Sequence, residues 1–98
     1  MNNSWPFRKI TGINGELFHI NNKPFMVRIA PDIEVVLDDI VEFIEEDKHG
    51  EVLKQLGKVM NIFFLESTQA IIAQIEREPD KKMIALEISK IRKNINQA

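Results

Sequence analysis

The sequence predicts an α+β fold, in which a small N-terminal antiparallel β-meander or hairpin is followed by three to four α-helices. Apolar and polar residues alternate over 7–29, which is the period of a strand, whereas apolar residues recur every three or four positions after 32, which is the period of a helix. We expect one domain over 1–98, with 1–6 flexible, 7–29 a β-meander and 32–95 helical.

Two turn signals support the meander. Asn14-Gly15 is a strong two-residue hairpin signal because both residues tolerate positive φ, and Asn21-Asn22 is a weaker signal of the same kind. The strands around these turns alternate apolar and polar side chains. Three strands need a cover on one face, and the apolar side of the following helix is the nearest one.

The stretch 32–47, DIEVVLDDIVEFIEED, is predicted to form an amphipathic helix. At about 100° per residue, most of its apolar residues fall on one side and its acids on the other, which is typical of a helix packed on a core. Val35 alone falls among the acids. Asp32 is the expected N-cap, and Gly50 the expected left-handed residue after the helix. The apolar side comprises Ile33, Val36, Leu37, Ile40, Val41, Phe43 and Ile44.

Further helices are predicted after Gly50. The segment 51–65 has an apolar stripe that changes face near 66–68, where we expect a break and the cap of a third helix, with one helix continuing to Arg77 as the alternative. A proline-containing stop at 78–80 precedes the last helix. That helix carries Ile84, Ile88, Ile91 and Ile95 at three- and four-residue spacing.

Composition limits the classes of function. The 98 residues contain no cysteine, which excludes a disulfide framework and thiolate zinc sites. The net charge of −2 disfavours nucleic-acid binding. The longest strongly apolar run, 62–65, is far too short for a membrane span, and the N-terminus has no apolar segment typical of a secretory signal. We therefore expect a soluble cytoplasmic protein.

No constellation of residues predicts catalysis. The sequence contains no glycine-rich phosphate loop and no nucleophile elbow. A metal site built from His19 and His49 would need carboxylates from the acidic helix, so we expect both to be structural or surface residues. The chain is predicted not to be an enzyme and to need no cofactor or metal.

Nucleic-acid binding has two local signals, one of which is the basic end of the last helix. The other is a cluster in which aromatic side chains that can stack on bases adjoin basic ones. The acidic stretch 32–47 would repel a phosphate backbone, so we expect no nucleic-acid partner. The cluster comprises Trp5, Phe7, Arg8 and Lys9.

Protein binding is the class that remains. Eight of the fifteen acids fall within 32–47, so an acidic face can bind a basic partner, although the same charges are equally explained by solubility. The run 62–65 offers more apolar surface than one helix face buries, which favours a dimer over burial against the last helix. The candidate protein-binding residues are Asp38, Asp39, Glu42, Glu46, Ile62, Phe63, Phe64 and Leu65.

Four stretches occur in a suggestive order: the hairpin INGELFHINNKPFMVRI, the acidic helix, LGKVMNIFFLESTQAIIAQIEREPD and KKMIALEISKIRKNI. This order, over 13–95, resembles the small tail assembly chaperones of long-tailed bacteriophages. The resemblance implies a non-enzymatic assembly factor in the host cytoplasm that coats the tape measure protein and self-associates. The alternative is a small inhibitor or adaptor whose acidic helix masks a site on a larger host or phage protein.

Overall fold

The computed structural model describes residues 7–93, which form nine strands and one turn of 3-10 helix. No α-helix occurs in this range, so the prediction of an α+β fold is wrong. The segment 1–6, predicted to be flexible, lies outside the described residues. The elements are β1 Phe7–Gly12, β2 Gly15–Ile20, β3 Lys23–Ala30, β4 Ile33–Val36, β5 Ile40–Glu46, β6 Val52–Leu65, β7 Ala70–Glu78, β8 Met83–Glu87, the 3-10 turn Ile88–Lys90 and β9 Ile91–Lys93.

The strands form two antiparallel sheets that pack face to face as a sandwich. Sheet A has the order β1-β2-β3-β4, and sheet B has the order β8-β7-β6-β5-β9. In the interior, β2 lies over β7 and β3 over β6, while β4 lies beside β9. Consecutive strands are paired with two exceptions. The chain crosses from sheet A to sheet B between β4 and β5, and β9 pairs with β5 instead of β8. The Lys93 ammonium donates to the Glu34 carbonyl oxygen at 3.1 Å and joins the two sheets at that side.

The predicted meander is present as β1–β3. Asn21 and Asn22 have φ of 53° and 67° and form the two-residue turn predicted there. The first turn lies one residue earlier than expected, because Gly12 pairs with Gly15 and leaves Asn14 inside the turn. The Asn14 side chain accepts from the backbone N–H of Ile71 at 2.9 Å and donates to its carbonyl at 3.0 Å, which ties this turn to sheet B.

The stretch 32–47 is two strands joined by a corner, so the predicted acidic helix is wrong. Val35, which the helical interpretation left among the acids, is fully buried between the sheets. The corner is fixed by Asp38, whose φ is 75°, and by the Asp39 carboxylate, which accepts from the backbone N–H of Val36 at 2.9 Å. Six of the sixteen residues are β-branched and favour strands. The predicted N-cap, Asp32, precedes β4 in the turn after β3.

The segments predicted as the later helices are also strands. A β-bulge at Met60 shifts the alternation in β6, so that Val59 and Ile62 both face the core three residues apart. That spacing mimics a helix. The break predicted near 66–68 is the turn between β6 and β7, and the stop at 78–80 lies at the turn between β7 and β8. Nothing is described beyond Lys93, so Ile95 lies outside the described residues.

The core lies between the sheets and is almost entirely aliphatic. Its residues come from alternate positions of the inner strands, as expected for two sheets that each bury one face. Gly57 lies in β6 where a Cβ atom would be 2.3 Å from Ile75 Cγ2, so no larger residue fits without displacement. The buried residues are Leu17, Val27 and Val35 from sheet A, Val41, Phe43, Val59, Ile62, Ile71, Ala73, Ile75 and Ile91 from sheet B, and Ile88 from the 3-10 turn.

Candidate functional site

The four acids predicted to form one binding face divide into two pairs. Asp38 and Asp39 form the corner between β4 and β5, and the Asp39 carboxylate lies 3.6 Å from the Lys93 ammonium. Glu42 and Glu46 lie on β5 and point away from the core, since they alternate with the buried Val41 and Phe43. The first pair shapes the corner between β4 and β5. Only the second pair lies on an outer sheet face.

The apolar run 62–65 alternates between the two faces of sheet B. Ile62 is fully buried, and Phe64 packs against the core. Phe63 is half-buried on the outer face, where it pairs with Ile72 of β7. Leu65 is 39% exposed at the end of β6. The four side chains therefore form no single patch. Ile62 and Phe64 belong to or pack against the core, and only Phe63 and Leu65 lie on the outer face.

Residues 44–54 form a two-stranded ribbon, which we name the arm. Within 7–93, β9 pairs with β5 only between Val41 and Phe43, and β7 pairs with β6 only from Leu56 onward. Ile44, Glu45 and Glu46 of β5 therefore pair only with Lys54, Leu53 and Val52 of β6. The arm extends the central hairpin of sheet B beyond the neighbouring strands.

The loop at the tip of the arm is held by hydrogen bonds. The Asp47 carboxylate accepts from the backbone N–H of His49 at 2.8 Å and from that of Glu51 at 2.9 Å. The backbone N–H of Asp47 donates to the Glu51 carbonyl at 2.9 Å, and Gly50 has a φ of 82°. This turn fixes the register of the ribbon and presents the exposed His49 at its end.

Apolar side chains are exposed on both faces of the arm. Val52 is 63% exposed and Ile44 58% exposed on the outer face, where they are diagonal neighbours across the ribbon. Leu56 continues the diagonal at the base of the arm. Leu53 is 45% exposed on the opposite face. Burial of these side chains against another molecule would be favourable, so the arm is a candidate binding surface.

An acidic cleft of about 360 Å³ lies between the arm and the turn after β7. Arg77 closes its base: its guanidinium is 2.6 Å from the Glu45 carboxylate and also bonds the Asp80 carboxylate. The hydrogen bond from Arg77 lowers the pKa of Asp80 to about 2, so this carboxylate stays charged. The cleft is lined by five acids and one base, namely Glu45, Glu46, Asp47, Glu78, Asp80 and Arg77, together with Leu53, Gln55 and Pro79.

His19 and the described part of the basic N-terminal cluster belong to sheet A, whereas His49 lies at the tip of the arm. His19 is buried in β2, where burial and the neighbouring Arg8 charge lower its pKa. Lys9 of β1 lies 3.1 Å from the Glu16 carboxylate. Over residues 7–93, no group of three or more histidine, aspartate or glutamate side chains is placed to hold a metal ion. Trp5 lies outside the described residues.

A second groove, of about 600 Å³, follows the seam between β4 and β9. Its charged residues balance, with Asp32 and Glu34 opposite Arg92 and Lys93, and Ile33 and Ile91 form part of its apolar lining. The acidic cleft, by contrast, carries an unbalanced charge and adjoins the exposed apolar side chains of the arm. The arm and its cleft are therefore the more specific candidate site.

No family model, no curated protein and no solved structure matches this chain. In the part of the chain that the structure describes, no helix is long and apolar enough to cross a membrane.

Proposed function

We propose that this chain is a non-enzymatic protein-binding module and that the arm is its main binding surface. The observation that supports it is the exposure of Ile44, Val52 and Leu53 on a ribbon that, within 7–93, pairs only with itself. Because these side chains are about half exposed, covering one contributes about half of the roughly 1.5–3 kcal/mol that full burial gives. A partner that encloses the ribbon from both sides therefore gains more than one that contacts a flat sheet.

The acidic cleft specifies the chemistry of the partner. Its single base, Arg77, is bonded to Glu45 and Asp80, which leaves the cleft with a net negative charge beside the apolar Leu53. The complementary partner segment carries a lysine or arginine next to apolar side chains. The charges would mainly accelerate association, while the apolar contacts would hold the complex.

An assembly factor and an adaptor are two forms of this proposal. Neither can act through an acidic helix, because 32–47 is two strands. The proposal also takes no support from the element order that resembled phage tail assembly chaperones, since that order required helices. A factor that coats a long helical phage protein would bind it in many copies, whereas an inhibitor or adaptor would bind one copy per site. A cytoplasmic location, in the host cell if the gene belongs to a phage, is part of the proposal.

Affinity capture with matched variants tests the role of the arm. The arm variant is Ile44→Lys with Val52→Lys, and the control is Ile13→Lys with Met83→Lys, which changes two equally exposed apolar residues elsewhere. We expect a partner protein, identified by mass spectrometry, to be retained by the parent and the control and lost from the arm variant. Equal retention of every captured protein by the arm variant would contradict the proposal, as would capture of none by the parent.

A further inference from the structure

The outer face of sheet A carries one charged side chain from each of its four strands. The Lys9 ammonium of β1 lies 3.1 Å from the Glu16 carboxylate of β2, which lies 3.6 Å from the Arg28 guanidinium of β3. Arg28 in turn lies 3.0 Å from the Glu34 carboxylate of β4. Glu16, Arg28 and Glu34 are direct neighbours across β2, β3 and β4, whereas Lys9 is paired with Phe18 and its side chain reaches Glu16 diagonally. The four charged groups, which we name the charge row, alternate in sign across the sheet.

A row of apolar side chains runs beside the charge row on the same face. Phe18, Met26 and Val36 are direct neighbours across β2, β3 and β4, and we name them the apolar row. They alternate with buried residues of the same strands, so they point away from the core. The Arg28 guanidinium lies 5.1 Å from the Phe18 ring centre, which joins the two rows.

The apolar surface continues past the apolar row to the end of the sheet. Phe7 pairs with Ile20 across β1 and β2, and its ring packs edge-on against Phe25 at 6.3 Å. Phe7 and Ile20 are exposed, and Val36 is 38% exposed. Sheet B covers only the inner face of sheet A, so this outer face is an apolar surface edged by ordered charges.

We propose that this face binds the same face of a second copy of the chain. A two-fold axis that lies between the copies and runs parallel to the strands places β1 over β4 of the second copy and β2 over β3. Glu16 then faces Arg28 of the second copy, and Arg28 faces Glu16. Glu34 faces Thr11 of the second copy, next to the ammonium that Lys9 extends towards Glu16. Glu16 and Arg28 therefore each meet an opposite charge directly, and Glu34 meets the Lys9 ammonium diagonally.

The same rotation also matches the apolar row to itself. Positions along the strands are kept, so Phe18 faces Met26 of the second copy and Met26 faces Phe18. The strands of the two facing sheets are aligned, as in stacked sheets of a sandwich. A two-fold axis across the strands would instead place charged residues over apolar ones and leave them buried without partners, which is unfavourable.

The size of the face sets the strength of the dimer. Four strands at about 4.8 Å spacing and six residues at about 3.3 Å each cover roughly 20 by 20 Å. That is smaller than a standard interface, which buries about 800 Å² on each partner. The dimer is therefore weak and dissociates on dilution. This inference does not rest on the proposed function, because the arm belongs to sheet B.

Inverting the charge row tests the pairing directly. The inverted variant carries Lys9→Glu, Glu16→Lys, Arg28→Glu and Glu34→Lys, so the alternation inside one chain is kept while every sign changes. We expect the parent and the inverted variant each to self-associate in sedimentation experiments over a wide concentration range. A pair of one parent chain and one inverted chain places like charges directly over each other at Glu16 and Arg28, and brings like charges together diagonally at Lys9 and Glu34. Energy transfer between fluorescently labelled copies should show that the parent chain binds the inverted variant at least about tenfold more weakly than either chain binds itself.

A pair of matched single variants locates the interface. Val36→Lys changes the proposed interface, and Leu65→Lys changes an equally exposed residue on the outer face of sheet B. We expect Val36→Lys to sediment as a monomer and Leu65→Lys to dimerise like the parent, both with the parent's circular dichroism. Loss of the dimer in Leu65→Lys alone would overturn the proposal. Equal mixed and like pairing, or a monomer at every concentration because residues 1–6 cover the face, would overturn it as well.

Discussion

The sandwich body and the arm are built from the same two strands but differ in what covers them. In the body, the inner faces of β5 and β6 carry Val41 and Val59, which are fully buried beneath sheet A. In the arm, Leu53 lies on the same inner face of β6, but it is 45% exposed because sheet A does not extend over it. Burial in this protein is therefore decided by the second sheet rather than by residue type.

The comparison separates two roles for apolar residues. Those in the body contribute to the free energy of unfolding because folding removes them from water. Those in the arm remain in water after folding, so they contribute little to stability and are available to another molecule. Substitutions of neighbouring residues on either side of this boundary should therefore differ in their effect on stability.

The largest difference is expected between two adjacent residues of β5. Phe43 is 2% exposed in the body, and Phe43→Ala should lower the free energy of unfolding by about 3–5 kcal/mol. Ile44 belongs to the arm, and Ile44→Ala should change it by about 0.5 kcal/mol or less. Urea unfolding of the two variants and the parent measures both values. Similar losses for both would show that the arm is packed against other parts of the protein.

Two glycines provide a smaller contrast. At Gly57 an added methyl group would lie 2.3 Å from Ile75 Cγ2, so Gly57→Ala should cost about 1–3 kcal/mol through overpacking. At Gly50, in the arm loop, an added methyl group would have no atom beyond its chain neighbours within 4 Å, so the cost of about 1 kcal/mol comes from the φ of 82° alone. Thermal unfolding of the two variants tests the order. A larger loss at Gly50 would argue against the close contact between β6 and β7.

The Arg77–Asp80 pair at the base of the arm should make stability depend on acid. The pKa of Asp80 is lowered from 3.8 to about 2 in the folded protein, so the folded state favours the charged carboxylate. Its contribution to stability is present above pH 3.8 and is lost as the pH falls towards 2. Asp80→Asn should remove this part of the pH dependence in urea unfolding. A variant with an unchanged acid profile would contradict the pairing.

The smallest expected effect concerns His19 in the body. Burial and the Arg8 charge lower its pKa below 6.5, so folding favours the neutral imidazole. The stabilisation is complete above pH 6.5 and declines as the pH falls below that value. His19→Gln should flatten the dependence of unfolding free energy on pH in this range. A slope equal to that of the parent would argue against burial of His19.

The sequence predicted the first three strands because turn residues and alternation agree there. The prediction was wrong after residue 32 because the spacing of the apolar residues fits both the period of a helix and that of strands interrupted by a corner or a bulge. The bulge at Met60 puts Val59 and Ile62 on the same face, and the corner at Asp38 separates two short strands within one apparently helical stretch. The β-branched residues of 32–47 and the sequence Asp47-Lys48-His49-Gly50 were signals of a hairpin that favoured the observed structure.

The candidate site was only partly predictable. Glu42 and Glu46 were identified as surface acids, but the exposed Ile44, Val52 and Leu53 were all assigned to the apolar faces of predicted helices. Their exposure depends on where β7 and β9 stop pairing with the central hairpin. The stop at 78–80 can be recognised from its proline. The register that places Glu78 beside Leu56 is a long-range property that no local pattern contains.

Amide hydrogen exchange followed by NMR tests the division into body and arm most directly. The hydrogen-bonded amides of β5 and β6 in the body, including those near Val41 and Val59, should exchange only on global unfolding. The hydrogen-bonded amides of the arm, residues 44–54, should exchange through local opening with a much smaller free energy. Equal protection along the whole hairpin, or helical chemical shifts over 32–47, would contradict the account.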